Sequence, residues 1–237
     1  MVKDAIILLT GTINPVGGVN VKLKDPQIRL RQYSSAIIYF IEKSDFKDIV
    51  FVENSNYEFE TYPYEYLARL YGKRFEFLRR VNPQTEALSY KGKSFGEADL
   101  IDFAMKNSKL ILDHDVIYKI TGRCTLLNDA SILYSISSEN EFLVSNRRKW
   151  LYTYFFKIKK EDYFSLFSPL RDEMDDSTQH NIERLWYKAV QDNHIKYTSF
   201  YKMPRVHGVY GNSNGKTYDK SKLDYLIQDL ARVLHII

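Results

Sequence analysis

VIYKITGRCTLLN, residues 116–128, is the stretch on which the fold of this chain turns. It opens with a short apolar run, 116–120, of the kind that forms a buried strand. It becomes polar at Thr121, Gly122 and Arg123, and is apolar again up to Asn128. In an open α/β sheet, ligands bind at the carboxyl ends of the strands. Glycine lets backbone approach a ligand closely, and arginine brings a permanent planar charge that matches phosphate. The triplet therefore reads as the floor of a site for a phosphorylated ligand. The plainer alternative is an edge strand with Arg123 in solvent.

Working outward, strands and helices alternate before this point. Residues 5–10 read as a buried strand ending in Thr10, Gly11 and Thr12, followed by a long loop with Pro15, Gly17 and Gly18. Residues 29–43 carry Tyr33, Ala36, Ile37, Phe40 and Ile41 at helical spacing. DIVFVE, 48–53, is a second strand and ends in Glu53, Asn54 and Ser55. A short helix over 64–71, a strand over 75–78 and a helix over 95–106 complete the pattern. Such alternation predicts βαβ units and an α/β fold with a mainly parallel sheet flanked by helices. Thr10–Thr12, Glu53–Ser55 and Thr121–Arg123 would then share one rim, although each triplet alone is also ordinary turn chemistry. Beyond Asn128 the expectation is of short strands at 132–136 and 142–145, and a longer one at 152–158. Helical segments are expected at 161–167, 182–190 and 222–234, with a polar loop between 194 and 217.

Composition narrows the class. The 237 residues, 44% hydrophobic and 27% charged, are ordinary for a globular protein. The formal charge of +4 and pI near 8.8 are only mildly basic, which disfavours a nucleic-acid-binding module. Cys124 is the single cysteine, so no internal disulfide forms, in keeping with a reducing compartment. No apolar run reaches a membrane span, and the N-terminus lacks the pattern of a signal peptide. A cytoplasmic location is expected, with at most peripheral contact at the inner membrane.

The order of elements resembles the nucleotide-sugar-binding half of a GT-A-type glycosyltransferase, a Rossmann-like fold. More narrowly it is similar to proteins of bacterial capsule and lipopolysaccharide biosynthesis loci. The motifs that carry the resemblance are Arg29–Tyr33, Glu53–Ser55, GKSFGE at Gly92–Glu97, and Lys119–Arg123 with Asn128. The resemblance implies one GT-A-like domain over 1–237, with a donor-binding half at 1–128 and an acceptor-binding half at 129–237. It implies sugar transfer from a nucleotide-activated donor to a surface polysaccharide or lipid-linked acceptor. A non-catalytic nucleotide-binding or partner subunit is the alternative, and oligomeric state stays open.

The donor-binding residues so implied are Thr10, Gly11, Thr12, Arg29, Glu53, Asn54, Ser55, Lys93, Gly96, Lys119, Thr121, Gly122, Arg123, His207, Asn212 and Ser213. GT-A enzymes commonly end the fourth strand in an Asp-x-Asp metal motif, whereas this chain has Thr121–Gly122–Arg123. Mg²⁺ and Mn²⁺ want hard oxygen ligands, so a divalent cofactor is not favoured and Arg123 with Lys119 would supply the positive charge. Asp113–His114–Asp115 precedes the strand and reads as a polar turn on the opposite rim. An inverting transfer needs a carboxylate base, for which Glu183 stands first and Asp176 second. His180 would orient it from the same helix face. Asp176 also reads as a helix cap, and Ser94–Glu97 as a capping box, without any function.

Overall fold

The computed structural model describes residues 4–15, 22–81, 91–135, 137–193, 195–209 and 217–233. Six strands form the central sheet, in the order β3-β2-β1-β4-β7-β6. They are β1 (Ile6–Gly11), β2 (Asp48–Glu53), β3 (Arg74–Arg79), β4 (Val116–Thr121), β6 (Glu141–Ser145) and β7 (Trp150–Lys159). The first four run parallel; β7 pairs antiparallel with β4, and β6 antiparallel with β7. A two-residue ribbon joins β5 (Thr125–Leu126) to β8 (Val206–His207).

Both faces of the sheet are covered, which is why β1 and β2 are apolar nearly throughout rather than alternating. On one face Ile7, Leu9, Phe51 and Ile120 pack against Tyr33, Ile37, Phe40 and Ile41 of α1 (Pro26–Glu42), and Tyr225 joins the same cluster. On the other face Ile6, Leu8, Val50 and Ile117 meet Phe95, Ala98 and Ile101 of α3 (Lys93–Asn107). That face also receives Trp186 from α4 (Ile182–Asp192), which lies flat on Phe167 with ring centroids 4.2 Å apart. Helix α2 (Tyr62–Leu70) follows β2, and α5 (Lys222–Val233) closes the described chain.

Helix α1 starts three residues before the expected place because Asp25 caps it, accepting from Gln27 N at 2.8 Å and Ile28 N at 3.2 Å. The strand expected at 132–136 is corrected to a short helix, Asp129–Leu133. Its apolar run is too short for periodicity to separate strand from helix. Asp129 ties that turn down by accepting from Asp45 N at 2.5 Å. Among the described residues no helix is long and apolar enough to cross a membrane.

Candidate functional site at the carboxyl rim

Strands β2, β1 and β4 are neighbours, with Gly11 in register with Glu53 and Thr10 with Thr121. The three triplets therefore lie side by side on one rim. Glu53 is fully buried; its Oε1 accepts from Ile13 N and Ser55 N, both at 2.9 Å, and from the Ser55 hydroxyl. Thr12 Oγ1 donates to Asn54 Oδ1 at 2.7 Å, and Asn14 N to Ser55 Oγ at 2.9 Å. The acidic turn thus holds the loop after β1 in place. Glu53 Oε2 is buried without a hydrogen-bond partner.

Arg29 is drawn into the same scaffold. Its Nε donates to Thr12 O at 2.6 Å, and its Nη2 to the Tyr33 hydroxyl at 3.1 Å. Tyr33, the last residue of the Arg29–Tyr33 motif, also accepts from Thr12 N at 3.0 Å. Burial lowers the Arg29 pKa, and the neighbouring charge of Arg123 lowers it further. The side chain of Arg123 turns to α1, with Nη1 3.4 Å from Gln32 Oε1, while its Nε is buried without a partner.

The glycines of both triplets are explained by packing. A Cβ on Gly122 would lie 2.7 Å from Thr10 O, and one on Gly11 would lie 2.6 Å from the Phe51 ring. Close approach of β1 to β4 and to α1 requires them, whether or not a ligand is bound.

Toward α3 the rim is ionic. Lys119 is 1% exposed, and its Nζ pairs with Glu97 and donates to Thr153 O at 2.8 Å. Lys119, expected to supply positive charge together with Arg123, has its charge met by Glu97. A lysine buried in a strand needs a partner, and Glu97 neutralises it in place. Burial pushes the Glu97 carboxyl up, but Lys119 and Lys93 together hold it below its ordinary value. The sequence places Glu97 in the GKSFGE motif and in a capping box, and its pairing with Lys119 is what sequence reasoning missed. The signal was Lys119 itself, a charge inside an apolar strand.

The capping box does not form. Ser94 lies inside α3, whose N-cap is Gly92, and Asp176 caps this helix from a distant segment. It accepts from Ser94 N at 3.1 Å and from the Ser94 hydroxyl. The helix N-terminus thus meets a protein carboxylate as its anion. Gly92, at φ +89°, is obligatory, since a Cβ there would lie 2.5 Å from Asp176 Oδ2. Gly96 is buried within the helix, and Lys93 is exposed beside it.

Glu183 sits in the first turn of α4, whose N-cap is Asn181. Burial raises its carboxyl to about 7, and the negative charge of Glu97 adds to the rise. It makes no salt bridge among the described residues. His180 precedes α4 and does not share its face; its Nδ1 lies 3.0 Å from Thr178 Oγ1. His207 in β8 is opposite Thr125 and pairs with Asp219 at 2.7 Å. Gly208 packs against Arg123 O and Cys124 Sγ, which places this segment beside the rim. Asn212 and Ser213 lie outside the described residues.

Among the described residues the rim does not offer the ligand set of a divalent metal. The end of β4 carries no carboxylate, and no group of three His, Cys, Asp or Glu side chains is arranged to hold an ion among the described residues. Asp113 and Asp115 come before β4, at its amino end, where Asp113 pairs with Arg74 at 3.0 Å.

No protein-family model and no curated protein sequence matches the chain. Among solved structures, the glycosyltransferase GlyE of Streptococcus pneumoniae aligns at 11% identity with a TM-score of 0.50. That alignment covers 84% of this chain and 45% of GlyE, so the chain spans just under half of that protein. The galactosyltransferase LgtC aligns at 10% identity and TM-score 0.48, over 81% of this chain and 72% of that one. A nucleoside-diphosphate-sugar pyrophosphorylase from Vibrio cholerae aligns at 10% identity and TM-score 0.46, over 82% and 91%. At this identity the likeness to GlyE is one of fold: this chain has a GT-A-like α/β architecture, with its parallel strand ends on a single rim.

Proposed function

We propose that this chain is a nucleotide-sugar-dependent glycosyltransferase acting on a bacterial surface polysaccharide or a lipid-linked glycan. The observation that carries the reading is the single rim formed by Thr10–Thr12, Glu53–Ser55 and Thr121–Arg123, beside which Glu183 in the first turn of α4 lies near Glu97, its carboxyl raised to about 7 by burial. A general base works best when its pKa lies near the working pH. The packing of Trp186 one turn later holds α4 in position, so the carboxyl is preorganised.

In this reading the nucleoside lies against the Glu53–Ser55 turn, where Asn54 and Ser55 stay partly exposed and the buried Glu53 fixes their position. The diphosphate lies beside Arg123. Two guanidiniums within electrostatic reach of one another, Arg123 and Arg29, repel until an anion is bound between them. Glu183 takes the proton of an acceptor hydroxyl as that oxygen bonds to the anomeric carbon. The bond from that carbon to the diphosphate breaks, and the nucleoside diphosphate leaves with the electron pair. Arg123 stabilises the charge that develops on it. Asp176 is the weaker base, because both its oxygens are engaged by Ser94.

The test is a thermal-shift screen against nucleotides and nucleotide sugars, followed by transfer assays with the stabilising donor. A ligand at a hundredfold its Kd adds about 2.7 kcal/mol. Transfer by the wild type that Glu183→Gln loses supports the reading. Donor binding with no transfer or hydrolysis would leave the non-catalytic alternative standing instead.

A further inference from the structure

Helix α5 carries Leu223, Leu226, Ile227 and Leu230 at helical spacing, and these side chains are 66%, 55%, 55% and 61% exposed. Its inward side is Tyr225 and Asp229, both buried, with Asp229 Oδ1 accepting from Met203 N at 2.7 Å. The helix is therefore amphipathic in the unusual sense that its aliphatic stripe points away from the protein. A stripe of this kind ordinarily faces a core. Where it stays exposed, it marks a surface for another apolar phase.

The stripe runs into a cavity of about 370 Å³ in which Leu226 and Leu230 meet Lys202, Arg205 and Asp229. The Lys202 ammonium lies 5.4 Å over the Tyr201 ring and has no carboxylate partner among the described residues. Arg205 is partly offset by Asp229 at 3.6 Å, and its Nε is buried without a partner. Lys222 is exposed one turn before Leu226, on the same flank of the helix. Cationic groups thus border the aliphatic stripe along the side that opens into the cavity.

We propose that α5 docks this protein on an anionic lipid surface. The aliphatic stripe enters the acyl boundary, and lipid phosphate is taken up beside Lys202 at the mouth of the cavity. Apolar burial combined with basic residues at the headgroup level is the physical signature of an interfacial helix. A second copy of the chain is the weaker occupant. Pairing of this face with itself would take two Lys202 ammonium groups, which have no carboxylate partner among the described residues, out of water together, a cost that an anionic surface does not impose. The proposal goes beyond the transfer reaction and does not depend on it, since docking needs neither donor nor acceptor.

The test is co-sedimentation with vesicles of phosphatidylcholine alone or mixed with phosphatidylglycerol. The full chain is expected to bind the mixed vesicles, to bind plain ones weakly, and to be released by salt. Leu226→Ser with Leu230→Ser removes apolar contact without adding charge and should abolish binding while leaving the melting temperature unchanged, because both side chains are exposed. Lys202→Glu should weaken binding by about fivefold or more, the contribution typical of one basic residue at an anionic surface. Equal binding to both vesicle types, or undiminished binding by the double serine variant, would overturn the proposal. So would a dimer that the double serine variant converts to monomer in the absence of any vesicle binding, which would assign the face to a second copy.

Discussion

Glu183→Gln should stabilise the protein above neutral pH and disable it at the same time. The carboxyl moves from an ordinary 4.5 to about 7, first through burial and then through the charge of Glu97. At 1.36 kcal/mol per pH unit, keeping it ionised in the folded state costs on the order of 3 kcal/mol. Solvent screening of this partly exposed group reduces the expected figure to about 1–2 kcal/mol. Below about pH 4.5 the group is protonated in both states, and the substitution changes little. As pH rises toward about 7 the unfolded chain ionises first, so the wild type loses stability that glutamine does not lose. Thermal melts at pH 4.5 and pH 8 should therefore coincide at the lower value and separate at the higher by roughly 2–8 °C, with the variant higher. Transfer should fall by about 10²–10⁴-fold, the usual worth of a general base. An equal melting difference at both pH values would refute the raised carboxyl, and wild-type turnover in the variant would refute its role as base.

Three further outcomes follow from the same geometry. Glu53→Ala strands Ile13 N and Ser55 N, at about 1–3 kcal/mol for each unmet group. Glu53→Gln keeps an acceptor and should fold near normally while binding nucleotide less well; urea unfolding and calorimetric titration measure the two effects. Lys119→Ala leaves Glu97 buried and unpaired and should cost about 3–5 kcal/mol, whereas Lys119→Met with Glu97→Leu should recover most of it in denaturant melts. Arg123→Ala should lower kcat and kcat/KM for transfer with little change in melting temperature, and Arg123→Lys should restore only part, because a point charge does not replace a planar fork.

The sheet was legible because its strands are buried on both faces and so read as uninterrupted apolar runs: the bounds of β2 follow directly from DIVFVE. The shared rim was legible as well, since parallel strands fix where successive carboxyl ends fall. The helix caps were not. Asp176 and Ser94 are 82 residues apart, and neither residue's neighbours signal that they meet. Local spacing suggested Ser94 with Glu97 instead, and tertiary contacts took both side chains elsewhere. Glu183 was legible only as a carboxylate near a helix start. Its raised pKa depends on burial and then on the charge of Glu97, and both are set by the fold.

The triplet after β4 illustrates how a motif read as one unit divides in space. Thr121 continues the strand in register with Thr10. Gly122 N still donates to Thr10 O of β1 at 2.9 Å, and Cys124 N then donates to Thr121 O at 2.8 Å, closing a tight turn that carries Arg123 out of the ladder. Gly122 fits because its missing side chain is where Thr10 O comes closest, so its identity is set by β1. Arg123 is swung toward α1 and Gln32, onto the face where Arg29 is already buried. Lys119, two residues earlier, points to the opposite face and is neutralised by Glu97. The positive charge at this strand end is therefore divided by the sheet. One part locks α3 against β4 through the Lys119–Glu97 pair, and the Glu97 charge helps raise the Glu183 carboxyl. The other stays on the α1 face, where Arg123 lies near the buried Arg29 and the repulsion between the two guanidiniums adds to burial in lowering the Arg29 pKa.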